Sequence, residues 1–286
     1  MKPAPFKYIR SASTDEAIAS LAEYGDEAKI LAGGQSLVPM MNLRLARPEV
    51  LIDINRIDEL GVIATHDGLR VGAAVRQADV EASAGAARVA PLVVEALGHV
   101  AHPQLRNRGT VVGSIAHHDP LAELPMVAAA LDAQVVLASS RGRRTVEATQ
   151  FFTGFLSTLA EPDEVVTEVY FPALASGTTT GFSEFARRRG DYAVVAAAVT
   201  LRLDDAGTIT DTTIALAGAS DRPVRCRDTE ATLVGQVATA EVWREAGAHA
   251  AQASGVEPPS NREGSSDFRR SLIAGVVRDA LARAAR

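Results

Sequence analysis

The segment Lys29 to Leu37, KILAGGQSL, constrains this chain more than any other. The apolar run Ala28 to Ala32 reads as a short buried strand. It delivers the chain into Gly33-Gly34, where the backbone must turn. Glycine accepts positive φ and lets backbone N–H groups come close to a ligand. Successive amides in such a turn make a concave nest suited to a diphosphate, with Gln35 and Ser36 adding side-chain hydrogen bonds. The spacing is that of neither a P-loop nor a Rossmann fingerprint, so neither signature applies. A plain tight turn uses the same residues. Pattern alone leaves both readings open.

A second glycine-bearing stretch, Gly109 to Pro120 (GTVVGSIAHHDP), follows Val100-Ala101-His102-Pro103 and Arg106-Asn107-Arg108. It reads as a loop in which small and hydroxylated residues sit beside ionisable ones, either a ligand loop or a polar loop with solvated histidines. A metal site from His99, His102, His117, His118 and Asp119 has suitable donors for zinc or iron. No standard ligand spacing is present, and adjacent histidines rarely face one ion, so no metal is expected. Arg141, Arg143 and Arg144, then Arg187 to Arg189, are basic clusters that read as solvated surface or as phosphate or partner contacts. Tyr192 is either a strand-edge aromatic or a ring stacked on a flat ligand. No nucleophile–base pair can be argued, so no catalytic residue is assigned.

Around these stretches the pattern is α+β. Ser13 and Glu16 have capping-box spacing before a helix that ends at Gly25. Strands are expected at Val50 to Ile54 and, after an Asp67-Gly68 turn, at Leu69 to Val75. Helical periodicity covers Arg76 to Ser83, Val89 to Leu97 and Leu121 to Leu131. Gln134 to Ala138 and Arg144 to Val146 flank a turn, and Glu164 to Phe171 alternates like a strand. The small, turn-forming run Pro172 to Gly181 marks a boundary. Domains 1–175, with subdomains of about 1–58 and 59–175, and 176–286 are expected. In the second, Phe182 to Arg187, Ala193 to Leu203 and Thr208 to Ala217 read as strands. Thr229 to Leu233, Ala240 to Ala253 and Asp267 to Ala284 read as helices. Leu272, Ile273, Val276, Val277, Ala280 and Leu281 form the apolar stripe of the last one.

The 286 residues include 29 basic and 35 acidic side chains, a net charge of −6. That balance argues against a nucleic-acid partner. Cys226 is the only cysteine, so this chain cannot ligate an iron–sulfur cluster with its own thiols. A lone thiol fits the cytoplasm. No signal-peptide h-region or membrane span is visible.

Four segments together resemble a known family. KILAGGQSL followed by VPMMNLRLARPEVLIDI is similar to the first flavin loop of the FAD-binding medium subunit of molybdenum hydroxylases. That family includes molybdenum-type carbon monoxide dehydrogenase and the flavin domain of xanthine dehydrogenase. AHPQLRNRGTVVGSIAHHDPLAELP resembles its second loop, FARRRGDYAVVAAAV the start of its C-terminal domain, and DFRRSLIAGVVRDAL its final helix. The likeness spans essentially the whole chain in the expected order.

The resemblance implies an FAD-binding domain of the vanillyl-alcohol-oxidase (PCMH) type with two α+β subdomains, then a smaller sheet-plus-helix domain. It implies that Leu31, Ala32, Gly33, Gly34, Gln35, Ser36 and Leu37 wrap the FAD diphosphate. Thr110, Gly113 and Ser114 would complete the cradle, and Val100 and Ala101 would line the cofactor path. Glu123 falls on the ribose or adenosine side, Val166 near the adenine, and Tyr192 near the isoalloxazine. His102 and Asp119 belong to the flavin environment. The implied function is electron transfer from the [2Fe-2S] clusters of a small subunit to NAD+, a quinone or oxygen. A large subunit would hold the molybdenum cofactor, and the whole would be a dimer of heterotrimers. The alternative is a standalone flavoprotein, or an apo-protein of this fold with another small-molecule role.

Three positions depart from the family pattern. Val112 stands at the first glycine of the usual pair, where a β-branched residue tolerates positive φ poorly. Its bulk is expected to weaken FAD binding. Glu184 stands where many relatives place a lysine, and a carboxylate there opposes an anionic reduced flavin. His118 replaces a usually small residue.

Overall fold

The computed structural model describes all 286 residues. Strand β1 (Lys7–Arg10) leads into helix α1 (Thr14–Tyr24), whose N-cap Ser13 accepts a hydrogen bond from the Glu16 N–H. Glu16 reaches back to the Ala12 N–H at 2.7 Å, one residue outside the expected box. Strands β2 (Ala28–Leu31) and β3 (Val50–Asp53) complete a parallel sheet of order β1-β3-β2, with α2 (Leu37–Asn42) between them. Because the strands run the same way, β2 and β3 end together, with Leu31 opposite Asp53. Gly33-Gly34 therefore leaves that end of the sheet.

The next unit begins with the hairpin β4 (Ile63–Ala64) and β5 (Gly68–Gly72). A run of short helices follows: α3 (Gln77–Glu81), α4 (Ala84–Val89), α5 (Pro91–Leu97), α6 (Pro103–Arg106), α7 (Val111–His117) and α8 (Glu123–Ala130). Strands β6 (Gln134–Ser139) and β7 (Gly142–Glu147) precede α9 (Ala148–Phe151) and the small hairpin β8 (Phe152–Gly154) and β9 (Ser157–Thr158). Strand β10 (Val165–Pro172) closes an antiparallel sheet of order β4-β5-β10-β6-β7. Its strict alternation of buried and half-buried residues is that of a strand with one covered face.

The third unit is an antiparallel sheet of β11 (Thr178–Ala186), β12 (Ala193–Leu203), β13 (Ile209–Ala217) and β14 (Val224–Arg225), followed by α10 (Arg227–Leu233), α11 (Ala240–Ala250) and α12 (Ser266–Ala284). Strand β12 is buried on both faces. Ala196 and Ala198 belong to the core shared with the first two units, whereas Val195, Ala197, Val199 and Leu201 face α11 and α12. The shared side is built of small residues: Ala196, Ala198, Ala215 and Ala217 meet α8, which carries Ala128, Ala129 and Ala130. On the other side a Cβ on Gly181 would lie 2.0 Å from the Ala280 carbonyl oxygen. Helix α12 rests directly on the backbone of β11. Five of the six stripe residues of α12 are buried, and Leu272 is partly so.

The largest departure from the sequence reading is Gly109 to Pro120. It is a capped helix, α7, not a loop. The expected strand after Asp67 stops at Gly72, and Val89 to Leu97 divides into α4 and α5 at Ala90. No helix is long and apolar enough to cross a membrane.

Candidate functional site

A cleft of about 670 Å³ runs between the end of the parallel sheet, the start of α7 and the edge of the third unit. The N–H groups of Gly33, Gly34, Gln35 and Ser36 donate to no acceptor within the chain. Backbone donors left free beside a cavity need an external acceptor. Gly34 has φ +72°, which only glycine adopts without strain. Gly33 has a different task. A Cβ there would lie 2.4 Å from the Arg108 carbonyl oxygen and 2.6 Å from the Gly109 Cα. The two glycine-bearing segments thus touch backbone to backbone.

Helix α7 starts at the same place. Thr110 caps it by accepting from the Gly113 N–H at 2.9 Å. Gly113 is glycine because a Cβ would sit 2.5 Å from that capping hydroxyl. Val112 has helical geometry and only 2% exposure, packed in the core. The expected strain at Val112 does not arise, since no positive φ is demanded there.

Of the residues singled out from sequence, Leu31, Ala32, Gly33, Gly34, Gln35, Ser36, Leu37, Val100, Ala101, Thr110, Gly113, Ser114, Asp119, Glu123, Val166 and Tyr192 all line this one cleft. His102 does not. Its ring packs behind the Gly190 turn, where a Cβ would lie 2.6 Å from the His102 Cε1. Ala101 holds φ +44°, an uncommon conformation kept by that same packing.

Two positioning residues were not legible in the sequence. Asn55 donates to the carbonyls of Leu31 (3.3 Å) and Ala32 (2.8 Å), which fixes the strand exit. Arg76 donates to the Asn55 Oδ1 (2.6 Å) and the Arg108 carbonyl (2.7 Å), tying the first glycine segment to the second. The hairpin residues Leu156 to Thr158 form part of the far wall. They are anchored by His118, whose Nδ1 lies 2.8 Å from the Ser157 carbonyl and whose ring stacks on Phe152. Burial pushes the His118 pKa down, so the ring is neutral and Nδ1 carries the donated proton.

The basic clusters resolve differently from each other. Arg144 makes a bidentate pair with Glu164 at 2.7 and 2.6 Å, and Arg141 pairs with Asp163 and Glu161. Those guanidinium groups are committed, and they hold the acidic rim beside the cleft. Arg187, Arg188 and Arg189 are exposed. No group of three or more His, Cys, Asp or Glu side chains is placed to hold a metal ion.

The carboxyl groups of the cleft are unusual. Burial raises the pKa of Glu123 to about 8, with Glu184 and Asp119 adding to the rise. Burial also raises Glu184 to about 7. The Tyr192 hydroxyl is pushed up by desolvation and by the charges of Asp119 and Glu123, although the residue as a whole is exposed.

Residues 4–174 match the family model described as the FAD binding domain in molybdopterin dehydrogenase. Residues 180–284 match the model of the CO dehydrogenase flavoprotein C-terminal domain. The chain belongs to the FAD-binding medium subunits of the molybdenum hydroxylases. Within this family it is 39% identical to the carbon monoxide dehydrogenase medium chain of Hydrogenophaga pseudoflava, over 98% of this chain and 97% of the relative. It is also 39% identical to the 6-hydroxypseudooxynicotine dehydrogenase complex subunit alpha of Paenarthrobacter nicotinovorans, over 99% and 96%. The fold superposes on quinoline 2-oxidoreductase from Pseudomonas putida 86 with a TM-score of 0.94 at 38% identity, covering 100% of this chain and 98% of that one. The family's cofactor is FAD, and its members are oxidoreductase subunits.

Proposed function

We propose that this chain is the FAD-carrying electron-transfer subunit of a cytoplasmic molybdenum hydroxylase. Its partners are a large subunit with the molybdenum cofactor and a small subunit with [2Fe-2S] clusters, assembled as a dimer of heterotrimers. The redox chemistry supplied when FAD is bound is storage of electrons from the iron–sulfur clusters until an acceptor such as NAD+, a quinone or oxygen takes them. The protein supplies binding, orientation and electrostatics. The observation that carries this reading is the row of free amides at Gly33 to Ser36, set beside a cleft of about 670 Å³.

Leu31 to Leu37 hold the diphosphate through those amides, and Thr110, Gly113 and Ser114 close the cradle. Val100, Ala101 and Tyr192 flank the isoalloxazine end, with His102 supporting the Gly190 turn from behind. Asp119 and Glu123 form the polar wall, Glu123 on the ribose side, and Val166 packs at the adenine. Cys226 is buried and its thiol is pushed up to about 12, so the clusters belong to the partner.

The test is a visible spectrum of the purified chain before and after FAD is added and the mixture desalted. A stoichiometric flavin spectrum that survives desalting is expected. Gly34→Val should abolish retention while the far-ultraviolet circular dichroism stays native, because valine cannot hold φ +72° without strain of about 1–3 kcal/mol. Normal retention in that variant overturns the diphosphate assignment.

A further inference from the structure

Arg269, in the final-helix segment DFRRSLIAGVVRDAL, has no task in the reading above. It sits near the start of α12 and is 0% exposed. Its Nη1 donates to the Val194 carbonyl, and its Nη2 donates to the Asn261 Oδ1 at 3.1 Å. Nε has no partner, and the carboxylate of Glu263 stands off at 3.9 Å. Taking a guanidinium out of water is costly, and an apolar residue of similar volume often serves stability as well or better. A buried arginine held this loosely by acids draws attention to its acceptor.

That acceptor lies at a break in the sheet. Strand β12 pairs Ala193 with Ala186 and Val195 with Phe185, so Val194 is an extra residue with no partner on β11. Such a bulge bends its strand and re-aims the side chains beside it. Two residues earlier stands Tyr192, which lines the cleft although it is 53% exposed. A ring with so much of its surface in water is not locked by its own packing, so the backbone beneath it decides where it points. That backbone is supported at two places. His102 packs behind Gly190, and Arg269 holds the Val194 carbonyl. The backbone of Gly218 rests against the same carbonyl, so closely that a Cβ there would collide with the oxygen. The Gly218 N–H donates to the Pro120 carbonyl at 3.0 Å, next to Asp119 on the cleft wall. Asn261 is held in turn by paired backbone hydrogen bonds with Gly264, at 3.0 and 3.1 Å.

We propose that Arg269 is a positioning residue for the cofactor: by holding the Val194 bulge from within the third unit, it sets the place of the Tyr192 ring at the cleft. The proposal rests on the flavin reading above, in which Tyr192 flanks the isoalloxazine. Arg269 does not line the cleft and acts only through the strand. An unbranched apolar replacement fills the same space but leaves the Val194 carbonyl without this donor. The bulge then loses a contact that fixes its direction, and Tyr192 loosens in a chain that is otherwise folded.

The test is fluorine NMR of the full apo-chain labelled with 3-fluorotyrosine. The chain has four tyrosines. Tyr8, Tyr24 and Tyr170 lie in β1, α1 and β10, outside the third unit, and serve as internal controls. Tyr192→Phe assigns the signal of interest. In Arg269→Met that signal should shift or broaden while the other three keep their native positions. Arg269→Lys returns a cationic donor and should move the signal back toward its native position. An unmoved Tyr192 signal in Arg269→Met overturns the proposal. So does movement of all four signals, which is what a general loss of structure produces. Should Arg269→Met fail to fold, Asn261→Ala removes only the side-chain partner of the guanidinium and decides by the same criterion.

This reading needs no FAD, so it stands apart from the flavin reading. Calorimetric titration with FAD then tests the link to the cofactor. Arg269→Met should raise the dissociation constant about two- to tenfold, the size of one aromatic contact. In a Tyr192→Ala background the same substitution should leave it unchanged. An equal rise in both backgrounds assigns Arg269 to the fold alone and overturns the positioning role. Lack of FAD binding with the Tyr192 response intact refutes the cofactor and spares the link between Arg269 and Tyr192.

Discussion

The two glycine-bearing segments look alike in sequence and differ in the folded chain. Gly33-Gly34 is a turn whose amides are left free, and its glycines serve a close backbone approach and a positive φ. Gly109 to Pro120 is mostly a helix, whose Gly113 serves its own N-cap. A glycine therefore marks a local steric demand, and the demand can be a ligand, a neighbouring backbone or a cap. The pair works because the first segment rests on the second, with Asn55 and Arg76 holding them together.

Gly33→Ala strikes that contact and should have the largest effect. Its Cβ would meet backbone atoms of Arg108 and Gly109 that cannot swing away. A loss of about 3 kcal/mol is expected, at the upper end for overpacking, together with loss of FAD on desalting. Urea denaturation and the flavin spectrum check both. Native stability would mean that the segments do not bear on each other.

Val112→Gly comes next. The sequence reading expected this change to tighten FAD binding. The strain part of that expectation does not arise, because the φ of Val112 is helical; its side chain is buried in the core at the border of the cleft. The variant should lose about 2 kcal/mol from the lost burial and the lower helix propensity of glycine. Its FAD affinity should be unchanged in calorimetric titration. Tighter binding would restore the loop reading of the second segment.

The strands and the long helices were legible because their apolar periods are clean. Strand β10 alternates at every residue, and α12 shows its stripe at Ile273, Val276, Val277, Ala280 and Leu281. Helix α7 was not legible. Its seven residues include glycine and β-branched valines, and what fixes it is burial of Val111, Val112 and Ile115 together with the Thr110 cap. Local propensity is a weak prior against such tertiary packing. The resemblance gathers residues from distant segments that the fold does bring to one cleft, His102 excepted. Asn55 and Arg76 were not legible, since their partners lie 21 to 32 residues away in sequence.

The cap sharpens the comparison on a finer scale. Thr110→Ala removes the acceptor for the Gly113 N–H and should cost about 1 kcal/mol, while Thr110→Ser should restore most of it. Gly113→Ala should be close to neutral alone. The gain of about 1 kcal/mol in helix propensity is offset by a Cβ 2.5 Å from the Thr110 hydroxyl, which must rotate and abandon the cap. In the Thr110→Ala background that clash is absent, so Gly113→Ala should become stabilising. The double-mutant cycle thus predicts a coupling of roughly 1 kcal/mol between two residues three apart. Strict additivity in urea midpoints would show that Gly113 is present for a ligand and not for the cap, and would bring the second segment back into line with the first.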